Sequence, residues 1–375
     1  MPKRGLKRAI LIALIASWAS KTFLRKSGET ISGRVLLALR PTAIEELSND
    51  RVILLVSGTN GKTSTTRFLT TLVEQLGGVA TSKSGSNLSY GVASSLLSPH
   101  RYAVLEVDEL HLPGMIAKTG PRVVVLLNLT RDQLHRMHEV KKVADRWKKI
   151  ADVAHETTFI IDIDDPFLNY ATNKAKNVVR VSFGGRVHPD GAVCPQCGSY
   201  LSWTAGMYEC DCGLTNKYSD RKYEAGSAAE RNAALANVAG YIVGTNWVDP
   251  DPKELERKVV KNYQDRPVSI RLTKNPASWT EALKSISSDS VILVLNAREV
   301  DGIDTSWLFD VSFEILRNRK VVVTGERALD LQYRLHVEGI IAVRVENFEA
   351  AVLEFEVGTQ IQALTAYTAF FDLSK

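Results

Sequence analysis

The sequence predicts an α/β protein with two domains, the first built on a parallel sheet with a glycine-rich loop and a small cysteine-bearing insertion. Apolar runs that end in polar residues alternate with helical stretches, first between residues 51 and 127 and again after residue 269. All four cysteines fall in one turn-rich window. We expect a helical lead-in over 1–48, a first domain over 49–247 with the insertion at 190–222, and a smaller α/β domain over 248–375.

The composition is that of a folded protein with room for two cores. The chain has 375 residues, of which 45% are hydrophobic and 24% charged, and this argues against disordered and fibrous classes. Its formal net charge of +5 suits a partner rich in negative charge. Nucleotides, anionic lipid head groups and nucleic acids satisfy such a charge equally well, so charge alone does not choose a function.

The N-terminus combines basic and apolar residues. Lys3, Arg4, Lys7 and Arg8 precede an apolar run over 9–19, which superficially resembles a signal peptide. The run is shorter than the roughly 20 apolar residues that span a bilayer, and a nucleotide site follows it. We therefore expect a cytoplasmic protein whose first helix packs on the core. Contact of its basic end with the inner face of the membrane is the alternative.

A glycine-rich loop follows the first buried strand. The apolar run over 52–56 continues into Gly58-Thr59-Asn60-Gly61-Lys62-Thr63-Ser64, an order typical of strand, phosphate-binding turn and helix. We expect the turn's N–H groups and the helix end to hold the phosphates of ATP, with Lys62 on the β- and γ-phosphates and Thr63 on Mg²⁺. The general P-loop pattern has a glycine where Val56 stands, so this loop is a shortened form.

Carboxylates end the second predicted strand. That strand covers 103–107 and runs through Glu106 to Asp108 and Glu109, at the sheet edge where parallel α/β folds place their ligands. Glu106 is the candidate Mg²⁺ ligand, because this cation prefers hard oxygen donors. Asp108 and Glu109 either support the metal site or cap a helix. Further strands are expected over 123–127, 269–273, 291–296 and 320–324, with a helix over 232–243.

The cysteines have metal-ligand spacing. Cys194 and Cys197 form one close pair and Cys210 and Cys212 a second, with twelve residues between the pairs. Four thiolates so arranged predict one tetrahedral Zn²⁺ in a zinc-ribbon insertion. Two disulfides could use the same thiols, but a reducing cytosol disfavours them. Because no ligand position is left for water, the metal is expected to be structural.

The shortened loop resembles that of the Mur ligase superfamily, which includes the peptidoglycan amino-acid ligases and folylpolyglutamate synthase. The resemblance implies a Mur ligase-like P-loop central domain that uses ATP and Mg²⁺, with Lys62 and Glu106 as catalytic groups. The stretch after the third strand matches the family at Asn128, Thr130 and Asp132. Gln133 replaces the family's metal-binding histidine and His135 replaces an aspartate, so the resemblance does not extend to these ligands of a second Mg²⁺ site.

A second family pattern lies further along the chain. Gly226 and Asn232 fit Gly-x-x-Asn-x-x-Asn, with Ala229 in place of its first asparagine. By this resemblance Asn232 lies near the adenine. A buried asparagine that serves only as a hydrogen-bonding group in the core is the alternative.

Other motifs resemble one branch of the superfamily, the MurT-like ligase subunits of lipid II isoglutaminyl synthase. They are the segment 28–34 with Pro41, the cysteine insertion, the segment 274–276 and the segment 301–307. This resemblance covers nearly the whole chain. It implies that ATP activates the α-carboxyl of D-glutamate in the lipid II stem peptide as an acyl phosphate, which ammonia from a GatD-like glutaminase partner converts to the amide.

The same resemblance suggests residues for the second domain. Asp330 would orient the catalytic histidine of the glutaminase, whereas a cap or a surface ion pair is the structural alternative. The candidates for contact with the carboxylate substrate, in a cleft between the domains, are Lys274, Asn275, Asp301, Asp304 and Trp307.

Two other functions compete with this interpretation. A folylpolyglutamate synthase-like ligase would share the phosphate loop but not the cysteine insertion or the second-domain motifs. A nucleic-acid binder built on the zinc ribbon would need basic residues beside its aromatic ones, yet few Lys or Arg adjoin Tyr200, Trp203 and Tyr208. We therefore expect no nucleic-acid partner.

Overall fold

A computed structural model describes residues 4–24, 30–82, 87–131, 140–251, 257–299 and 301–375. The chain forms two compact units: the second contains the described residues from 257 onward together with Arg131, and the first contains the other described residues. The segment 1–48, expected as a separate lead-in, clusters with the first unit. Asp132, Gln133 and His135 lie outside the described residues, as do residues 28 and 29 of the first family segment.

The first unit contains a parallel sheet with β1 near its centre. The strands in the described part of the chain run in the order β2-β3-β1-β4-β5-β6-β9. They are β1 (Val52–Ser57), β2 (Val79–Ala80), β3 (Tyr102–Glu106), β4 (Val123–Leu126), β5 (Thr158–Asp162), β6 (Asn177–Ser182) and β9 (Arg221–Lys222). Because both faces are covered, β1, β3 and β4 are almost uninterrupted apolar runs, which is how the sequence predicted them to within a residue or two.

Helices cover this sheet. Apolar residues of β1, the helix after it and α9 share one core cluster, which includes Leu54, Leu69 and Leu235. The helices are α1 (Arg4–Leu24), α2 (Ile31–Leu39), α3 (Ala43–Ser48), α4 (Lys62–Val73), α5 (Ser89–Ser95), α6 (Leu112–Thr119), α7 (Val140–Ala151), α8 (Pro166–Thr172) and α9 (Ala228–Val243). The helix predicted over 232–243 is thus the last three quarters of α9, which begins with a capping box between Ser227 and Glu230.

The cysteine-bearing segment leaves the sheet after β6 and rejoins it at β9. Between them a hairpin of β7 (Ser202–Thr204) and β8 (Met207–Glu209) forms a small separate sheet. The last residues of the predicted insertion therefore belong to the main sheet, where β9 pairs in parallel with β6.

The second unit is a smaller α/β layer structure, as the fold class predicted. Its strands in the described residues run in the order β10-β11-β15-β12-β13-β14, and only β10 is antiparallel to its neighbour. They are β10 (Lys258–Tyr263), β11 (Arg266–Leu272), β12 (Ser290–Val294), β13 (Lys320–Thr324), β14 (Ala342–Arg344) and β15 (Ile361–Thr365). The helices are α10 (Pro276–Lys284), α11 (Ala328–Val337), α12 (Phe348–Leu353) and α13 (Tyr367–Ser374).

The N-terminal helix α1 packs against α2 through only one of its faces. Leu6, Ala9 and Ala13 are buried, in agreement with the expected core packing, whereas Leu11, Ile15 and other apolar residues are exposed. Among the described helices, none has both the length and the apolar content needed to cross a membrane.

Candidate functional site

The phosphate loop joins β1 to α4. Gly61 precedes the helix with a φ of 84°, in the left-handed region that glycine occupies without strain. A Cβ on Gly58 would stand 3.0 Å from the backbone oxygen of Asn128, so the loop closely approaches the segment after β4. Thr63 and Ser64 lie half-buried in the first turn of α4. The free N–H groups and positive end of this twelve-residue helix suit a phosphate group.

The segment that follows β4 holds the loop in place. Asn60 donates its backbone N–H to Oδ1 of Asn128 at 2.9 Å, and Nδ2 of Asn128 donates to the Asn60 carbonyl at 2.9 Å. The Thr59 N–H donates to the Asn128 carbonyl at 2.9 Å. The Thr59 hydroxyl donates to the Thr130 carbonyl and accepts from the Thr130 N–H, both at 3.1 Å. These bonds shape the loop before any ligand arrives, which lowers the ordering cost of binding.

Lys62 is buried and ion-paired. Its ammonium donates to the Gly58 carbonyl and lies 3.1 Å from Oε2 of Glu109. Glu109 is itself buried, and its carbonyl accepts a hydrogen bond from the Trp147 indole N–H at 2.9 Å. The sequence left Glu109 open between a supporting role and a helix cap. In the structure Glu109 is the counterion of the loop lysine, and no local sequence pattern predicted this ion pair.

Glu106 ends β3 beside the loop. It is paired in register with Val56, one residue before β1 ends, and its side chain is buried. Asp108 instead accepts a hydrogen bond from the Leu110 N–H, as a local turn does. The carboxylate of Glu106, the hydroxyl of Thr63 and the amine of Lys62 form a donor set that fits a magnesium nucleotide.

Asn232 lies against the loop. A Cβ placed on Gly61 would stand 2.0 Å from Nδ2 of Asn232, so a larger residue at that position would have to displace the asparagine side chain. The structure therefore puts this asparagine at the last loop glycine. The expected role near adenine stays a prediction.

The four cysteines meet in one cluster. Their sulfur atoms all lie within 4.8 Å of one another. Sγ of Cys194 is 3.6 Å from that of Cys212, and Sγ of Cys197 is 3.4 Å from that of Cys210. Tetrahedral Zn²⁺ with bonds of about 2.3 Å requires sulfurs about 3.8 Å apart, so the cluster fits this metal.

The thiols differ in their surroundings. Hydrogen bonds from the backbone and side chain of Ser199 lower the pKa of Cys197 to about 6, which favours the thiolate that a metal binds. Burial raises the pKa of Cys194 to about 12. A bound cation would offset this burial effect, because it replaces the proton on sulfur.

Buried polar groups fasten the insertion to β5 and α8. The Tyr208 hydroxyl donates to the Ile163 carbonyl at 3.0 Å and accepts from Asn169 at 2.8 Å. Nδ2 of Asn216 donates to Asp164 at 2.9 Å. The insertion is thus tied to the main sheet of the first unit by hydrogen bonds, and it has a small apolar cluster of its own.

A charged pair lies at the end of β5. Arg186 contacts Asp162 at 2.7 Å. Burial raises the pKa of Asp162 to about 6, although the nearby guanidinium opposes this shift. Its carboxyl group therefore titrates in a range where exposed aspartates are already ionised.

Two candidates of the second unit make contacts that the fold itself needs. Asn275 caps α10, where its Oδ1 accepts from the Ser278 N–H at 3.0 Å. Asp301 is buried and accepts from the Thr368 N–H at 2.7 Å and the Thr368 hydroxyl at 2.6 Å. Both residues follow parallel strands that share one sheet edge. Their contact with substrate stays a prediction.

The remaining candidates have contacts within the second unit. Oδ1 of Asp304 accepts from the Ser306 N–H at 2.8 Å. The ring of Trp307 packs on that of Trp279, with centroids 6.0 Å apart. The backbone N–H of Lys274 donates to the Ser278 hydroxyl at 2.9 Å, and its half-buried side chain follows β11.

Asp330 lies in the first turn of α11. Its Oδ2 accepts from the Thr305 hydroxyl at 2.9 Å and from Nε of Arg327 at 2.6 Å. The side chain remains one-third exposed. A carboxylate has two acceptor oxygens, so this pair of contacts leaves acceptor capacity for a further donor.

Comparisons with known proteins agree with this architecture. Residues 56–201 match the Mur ligase middle domain and residues 272–370 match the MurT ligase C-terminal domain. The MurT subunit of lipid II isoglutaminyl synthase (glutamine-hydrolyzing) from Staphylococcus aureus is 25% identical over 96% of this chain and 95% of its own. The corresponding subunit from Streptococcus pneumoniae is 26% identical over 92% and 91%.

Solved structures share the fold. A pseudomurein peptide ligase type C from Methanothermus fervidus has a TM-score of 0.64 at 17% identity, covering 88% of this chain and 81% of its own. The MurF ligase from Thermotoga maritima, solved in complex with ADP, has a TM-score of 0.59 at 16% identity, covering 90% and 81%. The fold and the matched middle domain are those of the Mur ligase superfamily. Within it, the chain is similar to MurT ligase subunits over nearly its whole length.

Proposed function

We propose that this chain is the ATP-using subunit of a lipid II isoglutaminyl synthase. It converts the α-carboxyl of D-glutamate in the lipid II stem peptide to the amide of D-isoglutamine, a step of peptidoglycan biosynthesis. The observation that carries the proposal is the nearly end-to-end similarity to subunits of that name, joined to a formed phosphate loop with its lysine and acidic partners. Because ATP is a cytoplasmic substrate, the proposal implies a cytoplasmic location.

The loop binds the nucleotide. Backbone N–H groups of 58–61 and the first turn of α4 hold the phosphates, with the hydroxyls of Thr63 and Ser64 beside them. Lys62 exchanges its contact with Glu109 for the phosphate oxygens. Asn232 packs on Gly61 and limits the space on that side of the loop. Mg²⁺, held by Thr63 and Glu106, supplies charge neutralisation when bound.

The reaction has two covalent steps. A carboxylate oxygen of the substrate attacks the γ-phosphorus of ATP. The bond between this phosphorus and the oxygen that bridges it to the β-phosphate breaks, so that ADP departs and an acyl phosphate forms on the substrate. Ammonia then attacks the carbonyl carbon, phosphate departs with the C–O bonding pair, and a proton leaves the nitrogen. Lys62 stabilises the phosphate charge that develops in the first step. Lys274 is the candidate anion contact for the carboxylate substrate, and Asn275, Asp301, Asp304 and Trp307 are the further candidates in the second unit.

The cysteine cluster holds a structural Zn²⁺ in this proposal. Four sulfur ligands fill a tetrahedral shell, so no position remains for substrate or water. The ion stabilises an insertion whose own apolar cluster consists of few residues.

The partner is a GatD-like glutaminase, which docks on α11. Asp330 accepts a hydrogen bond from the partner's catalytic histidine and so orients it. Beside Asp330, the helix exposes Leu329, Tyr333 and Val337, which are spaced four residues apart and form one apolar stripe. Ile341, just beyond the helix, is 90% exposed. An exposed apolar stripe beside a carboxylate with spare acceptor capacity is the chemistry of a subunit interface that includes a functional contact.

The first experiment is mass spectrometry of lipid II incubated with ATP, Mg²⁺, glutamine and the co-purified glutaminase. We expect the mass change of acid-to-amide conversion, and we expect Lys62→Ala to abolish it. If lipid II is unchanged while ATP is hydrolysed with folate and glutamate, the chain is a folylpolyglutamate synthase-like ligase instead.

The partner contact has its own test. Asp330→Asn should lower glutamine hydrolysis by the complex roughly 10³-fold or more, because the amide cannot hold an imidazolium, while ATP binding stays unchanged. Asp289→Asn, a highly exposed aspartate of the same unit, is the matched control. Unchanged glutaminase activity in an Asp330→Asn complex that still assembles would remove Asp330 from the triad.

A further inference from the structure

The outer face of α1 is a continuous apolar surface. Leu11, Leu14, Ile15 and Trp18 follow the i, i+3, i+4, i+7 spacing of one helical stripe, and each is about half exposed or more. Ile12 extends the stripe at one side. Exposed apolar patches of this kind are uncommon on soluble proteins and mark surfaces that another phase or molecule covers.

The opposite face of the same helix is already used. Leu6, Ala9 and Ala13 are buried, and the helix packs along α2. Whatever covers the outer stripe therefore meets α1 from one side only, with the helix lying flat against it.

The charges of α1 select an anionic surface. Lys7 and Arg8 are exposed in the second turn, and the helix sequence contains no aspartate or glutamate. At 3.6 residues per turn Lys7 lies in line with the apolar stripe, one turn before Leu11, and Arg8 lies at its edge beside Ile15. Aliphatic side chains, a tryptophan and flanking basic groups on one face are the composition of helices that lie in the interface of a lipid bilayer.

We propose that α1 is an interfacial anchor, which holds the protein against a bilayer of anionic phospholipids. The apolar stripe enters the boundary between head groups and acyl chains, while Lys7 and Arg8 pair with lipid phosphates. The use of this anchor rests on the proposed function: an enzyme bound at the surface meets a lipid-linked substrate by diffusion in two dimensions.

The test is sedimentation of the full chain with vesicles of phosphatidylglycerol and phosphatidylcholine. We expect Leu11→Ser with Ile15→Ser and Trp18→Ser to lower the partition coefficient about 100-fold, since each side chain loses part of its transfer free energy. A matched control is Val260→Ser with Leu353→Ser and Val357→Ser, which removes exposed apolar side chains from the second unit and should leave partitioning unchanged.

The charge dependence gives a second measurement. Lys7→Gln with Arg8→Gln should lower partitioning on the anionic vesicles about 30-fold, at roughly fivefold per charge, and have little effect on vesicles of phosphatidylcholine alone. Quenching by lipids brominated in the acyl chain should fall in Trp18→Phe, which keeps the stripe apolar but removes its fluorophore.

Several outcomes would overturn the anchor. The first is that the wild-type chain fails to sediment with anionic vesicles. The second is that the three serine substitutions leave sedimentation unchanged. The third is that light scattering shows a dimer of the wild-type chain that these substitutions convert to a monomer. The last result would assign the stripe to a second copy of the chain.

Activity separates the anchor from the proposed function. With the glutaminase present, the serine variant should amidate a water-soluble lipid II analogue at the wild-type rate and vesicle-embedded lipid II more slowly. If the wild-type complex converts neither substrate, the proposed function fails and the vesicle measurements alone decide the anchor.

Discussion

Replacing Glu109 by glutamine tests whether the loop lysine is held by a counterion in the absence of nucleotide. The two charges are 3.1 Å apart and both side chains are less than one-tenth exposed. At an effective dielectric constant of about 20, charges at this distance attract by about 5 kcal/mol. Desolvation of both groups offsets much of that attraction, so the net contribution of the pair is smaller.

Glu109→Gln leaves the buried ammonium with neutral acceptors, which are the carbonyls of Gly58 and Thr59 and the introduced amide oxygen, and with no counterion at this position. We expect the nucleotide-free variant to be less stable by about 2 kcal/mol, because removal of one partner from a buried pair strands the other charge. Metal-free ADP should bind about tenfold more tightly, because Lys62 no longer has to leave a carboxylate for the phosphates.

Thermal unfolding with and without ADP, together with calorimetric titration, measures both effects. The stabilisation by ADP should be larger in Glu109→Gln than in the wild type. Glu314→Gln is the control, since Glu314 forms an exposed pair with Arg317 that contributes little. An unchanged melting temperature and an unchanged ADP affinity in Glu109→Gln would refute the counterion role.

Three further predictions concern the loop, the metal and a buried acid. Asn128→Ala removes both side-chain bonds to Asn60 and should weaken ADP binding about tenfold by titration, because the loop then has to be ordered on binding; equal affinity would contradict this. Cys197→Ser should lower zinc, measured by mass spectrometry, from about one ion per chain to well below that and lower the melting temperature; full zinc content would exclude the cluster as the site. Asp162, whose pKa burial raises to about 6, contributes stability that is full below about pH 4 and is lost as pH rises through 6. Asp162→Asn should therefore remove a decline of about 3 kcal/mol from the pH profile of unfolding free energy, and an unaltered slope would show that another group causes it.

Much of the fold could be predicted because its signals are local. Strands covered on both faces are apolar throughout, so β1, β3 and β4 were evident from short runs of sequence. The cysteine cluster was evident for a different reason, since four thiols at close spacing have few stable uses. In α1, by contrast, composition indicated an apolar helix but not which face it buries. Apolar residues lie on both faces, and only the position of α2 decides between them.

The contacts that shape the phosphate site join residues far apart in the chain. Lys62 and Glu109 are 47 positions apart, and Asn60 and Asn128 are 68 apart. All four residues lie shortly after the ends of neighbouring parallel strands, where functional residues are expected in such a sheet. Their side-chain pairing depends on register and rotamer, which no sequence period encodes.

The second unit shows why residue type alone is weak evidence for substrate contact. An asparagine between a strand and a proline that opens a helix satisfies the helix's free N–H groups, and Asn275 does so whether or not a ligand is near. Asp301 likewise uses both oxygens on Thr368, which starts α13 from the end of the adjacent strand β15. Lys274 is a half-buried cation just after β11, the type of group that attracts a carboxylate. Of these three, Lys274 is therefore the residue whose substitution should affect substrate binding more than stability, and an equal loss of both in Lys274→Met would assign it to the fold instead.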